Sequence, residues 1–168
     1  MQQLMVWRHA KAVPWTPGCE DFSRQLREVG TRHADNIARW MAEHVEDPTC
    51  ILCSPSQRTR ETLAPLLAAQ PALEQVTRFI PQIYHATAGT LETMLDAAFA
   101  ESDRVLVVGH NPGLEVLVGD TVHRRHLEEY RRLPTGTLAV IDFASGWAND
   151  QGQGRLAHLV RGKSLSVD

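Results

Sequence analysis

The sequence predicts an α/β fold, a three-layer α/β/α sandwich with a mostly parallel central sheet and a C-terminal antiparallel hairpin. Short apolar runs alternate with longer segments whose apolar residues recur at helical spacing, which is typical of a parallel sheet crossed by helices. The last two apolar runs flank a turn rich in Gly, Asn and Asp, which indicates a hairpin. A chain of 168 residues suits a single domain over 1–168.

The first half of the chain contains two predicted strands and two predicted helices. Its elements are a strand at 3–7, a loop rich in Pro and Gly at 13–22, a helix at 27–46, a strand at 50–54 and a helix from Ser54 to Ala69. The loop is long enough to be a lid or a specificity loop. Ser54 is expected to cap the second helix, with Pro55 in its first turn.

The second half continues the alternation and ends in the hairpin. Its elements are a weak strand at 78–84, a helix at 90–100, a strand at 104–110, a helix at 111–120 and antiparallel strands at 137–143 and 155–162. Pro81 is expected to interrupt the weak strand, since proline cannot donate to a strand ladder. Asn111 followed by Pro112 predicts a capped helix start.

Composition excludes several classes of protein. A formal net charge of −3 argues against general binding to nucleic acid or to an anionic membrane. No apolar run approaches the ~18 residues that a membrane-spanning helix needs. The first residues lack the features of a secretory signal peptide. A cytoplasmic protein without nucleic-acid or membrane partners is therefore expected.

Two spacings compatible with metal binding are better explained as structural. Cys50 and Cys53 lie in an apolar strand-like run, where residues three apart point to opposite faces, so core cysteines are expected. His123 and His126 lie in the charged segment 122–133, which is interpreted as a solvated, partly paired face. We therefore expect neither a metal site nor a cofactor.

Arginine and histidine residues lie at or just after the ends of three of the predicted strands. Arg8 and His9 follow the first strand directly. Arg58 lies early in the helix after the second strand, and His110 ends the strand at 104–110. The carboxyl ends of parallel strands lie along one edge of the sheet, where open α/β proteins bind ligands. Two histidines and two arginines are therefore expected to meet there.

This set of side chains suits phosphoryl transfer. Guanidinium groups of Arg8 and Arg58 would bind phosphoryl oxygens bidentately. An imidazole is a covalent nucleophile when one ring nitrogen is held and the other faces phosphorus. The second histidine would stabilise the same oxygens. The arginines and an imidazolium would supply the positive charge, so that no metal is required.

At these residues the sequence resembles the histidine phosphatase superfamily, the phosphoglycerate-mutase-like group, and within it the SixA-type phosphohistidine phosphatases. The matching segments, in family order, are "RHAKA" at 8–12, "DFSRQLREVG" at 21–30, "SPSQRTRET" at 54–62 and "VVGHNPGLE" at 107–115. The resemblance implies that His9 is the phosphorylated nucleophile and that Arg8 and Arg58 bind phosphate. It implies that His110 is the second histidine at the phosphoryl group.

One departure from the family pattern bears on the substrate. Many members that act on phosphate esters carry a carboxylate general acid after the third strand, and the matching region here, "IYHATAGTLETML", has none in a recognisable motif. Glu92 and His85 are the only candidate acids nearby. Because an alkoxide leaving group needs a proton more than an imidazole does, the sequence favours phosphohistidine over phosphate esters.

Three functions follow from the sequence. The first is dephosphorylation of a phosphohistidine-bearing protein, either a phosphotransfer domain or a phosphocarrier, through phospho-His9. The second is a small-molecule phosphomonoesterase that uses Glu92 or His85 as its acid. The third is a non-catalytic phosphate-binding regulatory module, which the presence of all four site residues disfavours.

Overall fold

The computed structural model describes residues 1–130 and 132–165, and the predicted alternation of strands and helices is confirmed there. The strands are Gln2–Arg8 (β1), Cys50–Cys53 (β2), Thr77–Phe79 (β3), Arg104–Gly109 (β4), Thr137–Phe143 (β5) and Arg155–Arg161 (β6). The helices are Glu28–His44 (α1), Gln57–Ala69 (α2), Ala88–Phe99 (α3) and Gly113–Thr121 (α4). None of these helices combines the length and apolar character that crossing a bilayer would require.

A six-stranded sheet in the order β3-β2-β4-β1-β5-β6 forms the centre of the molecule. The first four strands of that order run parallel, whereas β5 is antiparallel to β1 and β6 is antiparallel to β5. The prediction of a mostly parallel sheet with an antiparallel C-terminal pair is therefore confirmed. The carboxyl ends of β1, β2 and β4 lie at one edge, together with the start of β5 and the end of β6.

Apolar side chains cover both faces of the sheet, because strand residues alternate between them. Trp7 and Val108 point toward α1 and α2, whereas Val6 and Val107 point toward α3 and α4. Each face is buried in its own apolar cluster, which gives the predicted three-layer α/β/α arrangement.

Both predicted helix caps are wrong, because the side chains concerned bind elsewhere. Helix α2 begins at Gln57, three residues later than expected, and the Ser54 hydroxyl lies 2.9 Å from Nε2 of His110. Helix α4 begins after the predicted Asn-Pro start, and the Asn111 amide donates to the carbonyl of Leu133 at 2.9 Å. The two residues expected to start helices instead join segments at the edge of the sheet where β1, β2 and β4 end.

The predicted strand at 78–84 is shorter than expected. Only Thr77–Phe79 pairs with β2, and Pro81 opens a 3₁₀ turn at Pro81–Ile83. The proline therefore interrupts the strand as predicted. A second short 3₁₀ turn, Asp21–Ser23, lies at the end of the predicted 13–22 loop. The remaining elements agree with their predicted bounds to within two residues.

Candidate active site

His9 lies at the carboxyl end of β1, in the middle of the sheet. Its amide donates to the carbonyl of Gly109 at 3.1 Å, which continues the pairing of β1 with β4. Its imidazole is buried, and Nδ1 lies 2.7 Å from the carbonyl oxygen of Ala10. Because a carbonyl only accepts, Nδ1 carries the proton, and Nε2 is left with its lone pair.

Burial keeps the His9 imidazole uncharged. Loss of hydration is the largest cause, and the hydrogen bond to Ala10 opposes it. The positive charges of Arg58 and Arg8 add to the effect of burial, and together these influences lower the pKa of His9 to about 4. At neutral pH the side chain is therefore a neutral imidazole with a free Nε2, the form that can act as a nucleophile.

His110 follows β4, and its ring centroid lies 5.4 Å from that of His9. Its Nε2 contacts the Ser54 hydroxyl, and its buried Nδ1 has no hydrogen-bond partner among the described residues. Burial and then the charge of Arg58 lower the pKa of His110 to about 3. The two histidines named from the sequence are thus neighbours, and both are neutral at neutral pH.

Two arginines border the histidine pair. Arg58, in the first turn of α2, is only 3% exposed, and its Nη1 donates to the carbonyl of Asp21 at 2.8 Å. Arg8, the last residue of β1, donates from Nη1 to the carbonyl of Leu133 at 3.1 Å. The Nε atoms of both arginines are buried without a partner among the described residues. Buried donors normally have partners, so these two are available to an anionic ligand.

Asp21 connects the long loop to this cluster. Its carboxylate accepts from Arg58 Nη2 at 3.1 Å, from Arg24 Nε at 2.9 Å and from the Tyr84 hydroxyl. Burial raises the pKa of Asp21, but the hydrogen bonds from Tyr84 and Arg24 and the charge of Arg58 outweigh it and hold that pKa well below its usual range. Asp21 is therefore an anion that orients Arg58.

Thr62 joins the loop after His9 to α2. Its hydroxyl donates to the carbonyl of Arg58 at 2.7 Å and accepts from the amide of Ala10 at 2.9 Å. The carbonyl of that same Ala10 holds Nδ1 of His9. One threonine thus sets the position of the helix that carries Arg58 relative to the peptide that orients His9.

Sequence reasoning assigned no role to Asp21, Arg24, Thr62 or Tyr84. The first three lie in segments quoted for the resemblance, and the Asp-x-x-Arg spacing was the available signal for two of them. Tyr84 had no such signal. Its ring packs edge-to-face against His110 with centroids 5.4 Å apart, and the desolvated hydroxyl beside Asp21 has a raised pKa.

The two candidate acids occupy different environments. His85 has a positive φ of 57°, its ring centroid lies 5.9 Å from that of His110, and its Nε2 lies 3.5 Å from Asp21 Oδ2. Glu92 lies on α3 and makes no hydrogen bond or ion pair with the described residues of the cluster. The structure therefore brings His85 to the site and leaves Glu92 outside it.

The two spacings compatible with metal binding do not assemble a metal site among the residues that the structure describes. Cys50 and Cys53 belong to apolar clusters on opposite faces of the sheet, so their sulfurs cannot share one ion. In the charged segment 122–133, Nδ1 of His123 accepts a hydrogen bond from the amide of Arg125. Arg131 of this segment lies outside the described residues. Across 1–130 and 132–165 no group of three or more His, Cys, Asp or Glu side chains could hold a metal.

The arrangement is chemically suited to an oxyanion. Unpartnered donors on Arg8 and Arg58 lie beside a neutral imidazole with a free nitrogen, in a place largely removed from water. Charge-assisted hydrogen bonds are stronger there than in water. A tetrahedral phosphoryl group would supply acceptors for these donors.

Comparison with known proteins agrees with this geometry. The model of the histidine phosphatase superfamily (branch 1) matches residues 4–80. The crystal structure of a candidate phosphohistidine phosphatase SixA from Agrobacterium tumefaciens is 30% identical, covering 95% of this chain and 97% of that one, with a TM-score of 0.80. An uncharacterized protein of Mycobacterium tuberculosis is 29% identical over 150 residues, which is 84% of this chain and 90% of the relative.

A more distant structure supports the fold alone. The protein histidine phosphatase SixA solved with tungstate is 21% identical, covers 98% of this chain and 99% of its own, and has a TM-score of 0.80. The Agrobacterium tumefaciens structure is matched over almost the whole length of both chains, so its similarity includes and extends beyond the residues that the superfamily model matches. The chain is therefore a phosphatase of the histidine phosphatase superfamily and belongs to its SixA-type branch.

Proposed function

We propose that this phosphatase removes the phosphoryl group from a phosphohistidine-bearing protein through a covalent phospho-His9 intermediate. The observation that carries the proposal is that the Asp21 carboxylate is held in its ionised form. The carboxylate that the cluster holds beside Arg58 has a pKa well below its usual range, so it cannot donate a proton at neutral pH. A site arranged in this way favours a leaving group that departs without a strong carboxylic acid.

The first step would be attack of His9 Nε2 on phosphorus. The new N–P bond forms as the substrate's N–P bond breaks, and the substrate imidazole leaves as a neutral ring after taking a proton from solvent. The carbonyl of Ala10 stabilises the positive charge that develops on His9 through the Nδ1 proton. Arg8 and Arg58 bind the equatorial oxygens, where charge is spread in the transition state.

The second step would return His9 to its starting state. A water molecule attacks phosphorus, the bond to His9 Nε2 breaks, and inorganic phosphate leaves. His110 would donate from Nδ1 to a phosphoryl oxygen. The Ser54 hydroxyl accepts from the amide of Ser56 at 3.4 Å, so we infer that its own proton goes to Nε2 of His110. That arrangement leaves the imidazole proton on Nδ1.

The test is phosphate release from a phosphorylated histidine phosphocarrier protein in the presence of EDTA. The wild-type protein should turn over without added metal, and His9→Asn should release no phosphate. His44→Asn, an exposed histidine of α1, is the matched control and should keep the wild-type rate. An alkaline quench, under which phosphohistidine survives, should trap labelled enzyme. A fully active His9→Asn variant would exclude this intermediate.

A second candidate function is hydrolysis of small phosphate monoesters, and the position of His85 favours it. Its imidazole lies 3.5 Å from the anionic Asp21, from which it could protonate a departing alkoxide. In that case His85→Gln lowers kcat for alkyl phosphates and leaves phosphohistidine turnover unchanged. Glu92→Gln serves as the control because Glu92 does not contact the described cluster. If His85→Gln hydrolysed alkyl phosphates at the wild-type rate, this role of His85 would be excluded.

A further inference from the structure

A second feature of the catalytic edge is a basic cavity on the α1 side of the sheet. Its volume is about 410 Å³. Eight residues line it, among them Lys11, His33, Arg161 and Lys163. Four of these are basic and none is acidic, although the chain as a whole has a net charge of −3.

The walls of the cavity are held together by close backbone contacts. The amide of Gly136 donates to the carbonyl of His9 at 2.9 Å, and the amide of Gly162 donates to the carbonyl of Gly136 at 2.9 Å. A Cβ at Gly162 would lie 2.5 Å from the carbonyl oxygen of His33, so that only glycine allows this approach. The cavity is therefore fixed to the loop that carries the proposed nucleophile.

The cations of the cavity are not neutralised within the described protein. Lys11, Arg161 and Lys163 form no ion pair with any residue of 1–130 or 132–165. Burial lowers the pKa of His33, and the charges of Arg32, Lys163 and Lys11 lower it further. Lys11 and Lys163 therefore both lie close enough to His33 to lower its pKa, although they belong to different segments of the chain.

We propose that this basic cavity docks an acidic segment of the phosphoprotein substrate while its phosphohistidine enters the catalytic site, an inference that rests on the proposed function. Lys11 lies two residues after His9 and contributes to the cavity wall. A protein with carboxylates beside its phosphohistidine could therefore contact both places at once. Docking would hold the phosphoryl group beside His9 and lower KM.

Exposure distinguishes this surface from a site for a small anion. The phosphoryl site uses buried donors such as Arg58, which is 3% exposed. In the cavity Lys11, Arg161 and Lys163 are exposed. Exposed charges are screened by salt and bind single ions weakly, but several together steer and orient a partner that carries several opposite charges. An acidic protein segment therefore fits the cavity better than free phosphate.

The test combines direct binding with kinetics. A fluorescein-labelled hexaglutamate peptide should bind the wild-type protein at low salt, and the double variant Arg161→Glu/Lys163→Glu should bind it at least about tenfold more weakly. With a phosphorylated histidine phosphocarrier, the same variant should show a raised KM, a similar kcat and a weaker salt dependence. With phosphoimidazole as substrate, its kcat/KM should equal that of the wild type.

The matched control is Arg78→Glu, which changes an exposed arginine of β3 at the opposite edge of the sheet. It should keep wild-type values in every assay. An unchanged KM for the phosphocarrier in the double variant overturns the docking proposal alone. An equal loss on phosphoimidazole also overturns it, because the cavity would then belong to the phosphoryl site. Failure of the wild-type protein to dephosphorylate any phosphocarrier would instead refute the proposed function.

Discussion

The two neutral histidines at the carboxyl ends of β1 and β4 make the protein less stable as the pH falls below 6.5. The pKa values of His9 and His110 in the folded protein are about 4 and about 3, against 6.5 for an unperturbed histidine. Between these values the unfolded chain binds a proton at each position and the folded chain does not. The free energy of unfolding therefore decreases with decreasing pH, by about 1.4 kcal/mol per pH unit for each histidine.

The size of the effect follows from the same pKa values. Between pH 6.5 and pH 4.5, His9 and His110 should each remove about 2 kcal/mol from the free energy of unfolding. The pair would then account for about 4 kcal/mol, a large part of the 5 to 15 kcal/mol that stabilises a typical domain. Loss of hydration is the largest cause for both residues, so the effect does not require bound phosphate.

Urea unfolding at the two pH values in phosphate-free buffer measures this contribution. The loss of stability in His9→Asn should be smaller than in the wild type by about 2 kcal/mol, since the contribution of His9 is then absent. The control His44→Asn removes an exposed histidine and should match the wild type. Equal losses in His9→Asn and the wild type would refute the argument that burial keeps His9 neutral.

Three further substitutions test individual contacts. Asp21→Asn weakens the ion pair that orients Arg58 and should lower kcat/KM by about 10- to 100-fold in steady-state assays, with an unchanged circular dichroism spectrum. Tyr84→Phe removes one donor to that carboxylate and should cost less; a larger loss than in Asp21→Asn would indicate a direct role for the hydroxyl. Gly30→Ala places a Cβ 2.1 Å from the carbonyl oxygen of Lys11 and should destabilise the protein by about 1–3 kcal/mol in urea unfolding, which an unchanged midpoint would contradict.

The ends of the strands were predictable because their signals are local. An apolar run followed at once by Arg8 and His9, and another followed by His110, mark the ends of buried parallel strands. Parallel topology then brings those ends to one edge without further information. The same reasoning correctly placed the C-terminal hairpin, whose turn residues separate two apolar runs.

The parts of the site that depend on distant contacts were not predictable in this way. Tyr84 meets Asp21 across 63 positions of the chain. Asp21 follows no predicted strand, and the strand predicted to end at Tyr84 covers only Thr77–Phe79. Ser54 has the sequence context of a helix cap, yet its hydroxyl is taken by His110 from a separate strand. The preference of serine for a helix N-cap is worth about 1 kcal/mol. It is overridden here because the buried His110 imidazole would otherwise lose its hydrogen-bond partner.

The low pKa values of the two histidines also explain how the empty site avoids excess buried positive charge and yet, in the proposed mechanism, gains positive charge when the phosphoryl group binds. Without substrate, neutral imidazoles add no further positive charge beside the half-buried Arg8 and the buried Arg58, while the anionic Asp21 forms an ion pair with Arg58. A phosphoryl dianion reverses the balance, because a nearby negative charge favours the protonated form of His110. The additional positive charge would then be present only while the phosphoryl group is bound. Keeping both histidines neutral in the empty site thus preserves a nucleophile and avoids a permanent cluster of buried cations.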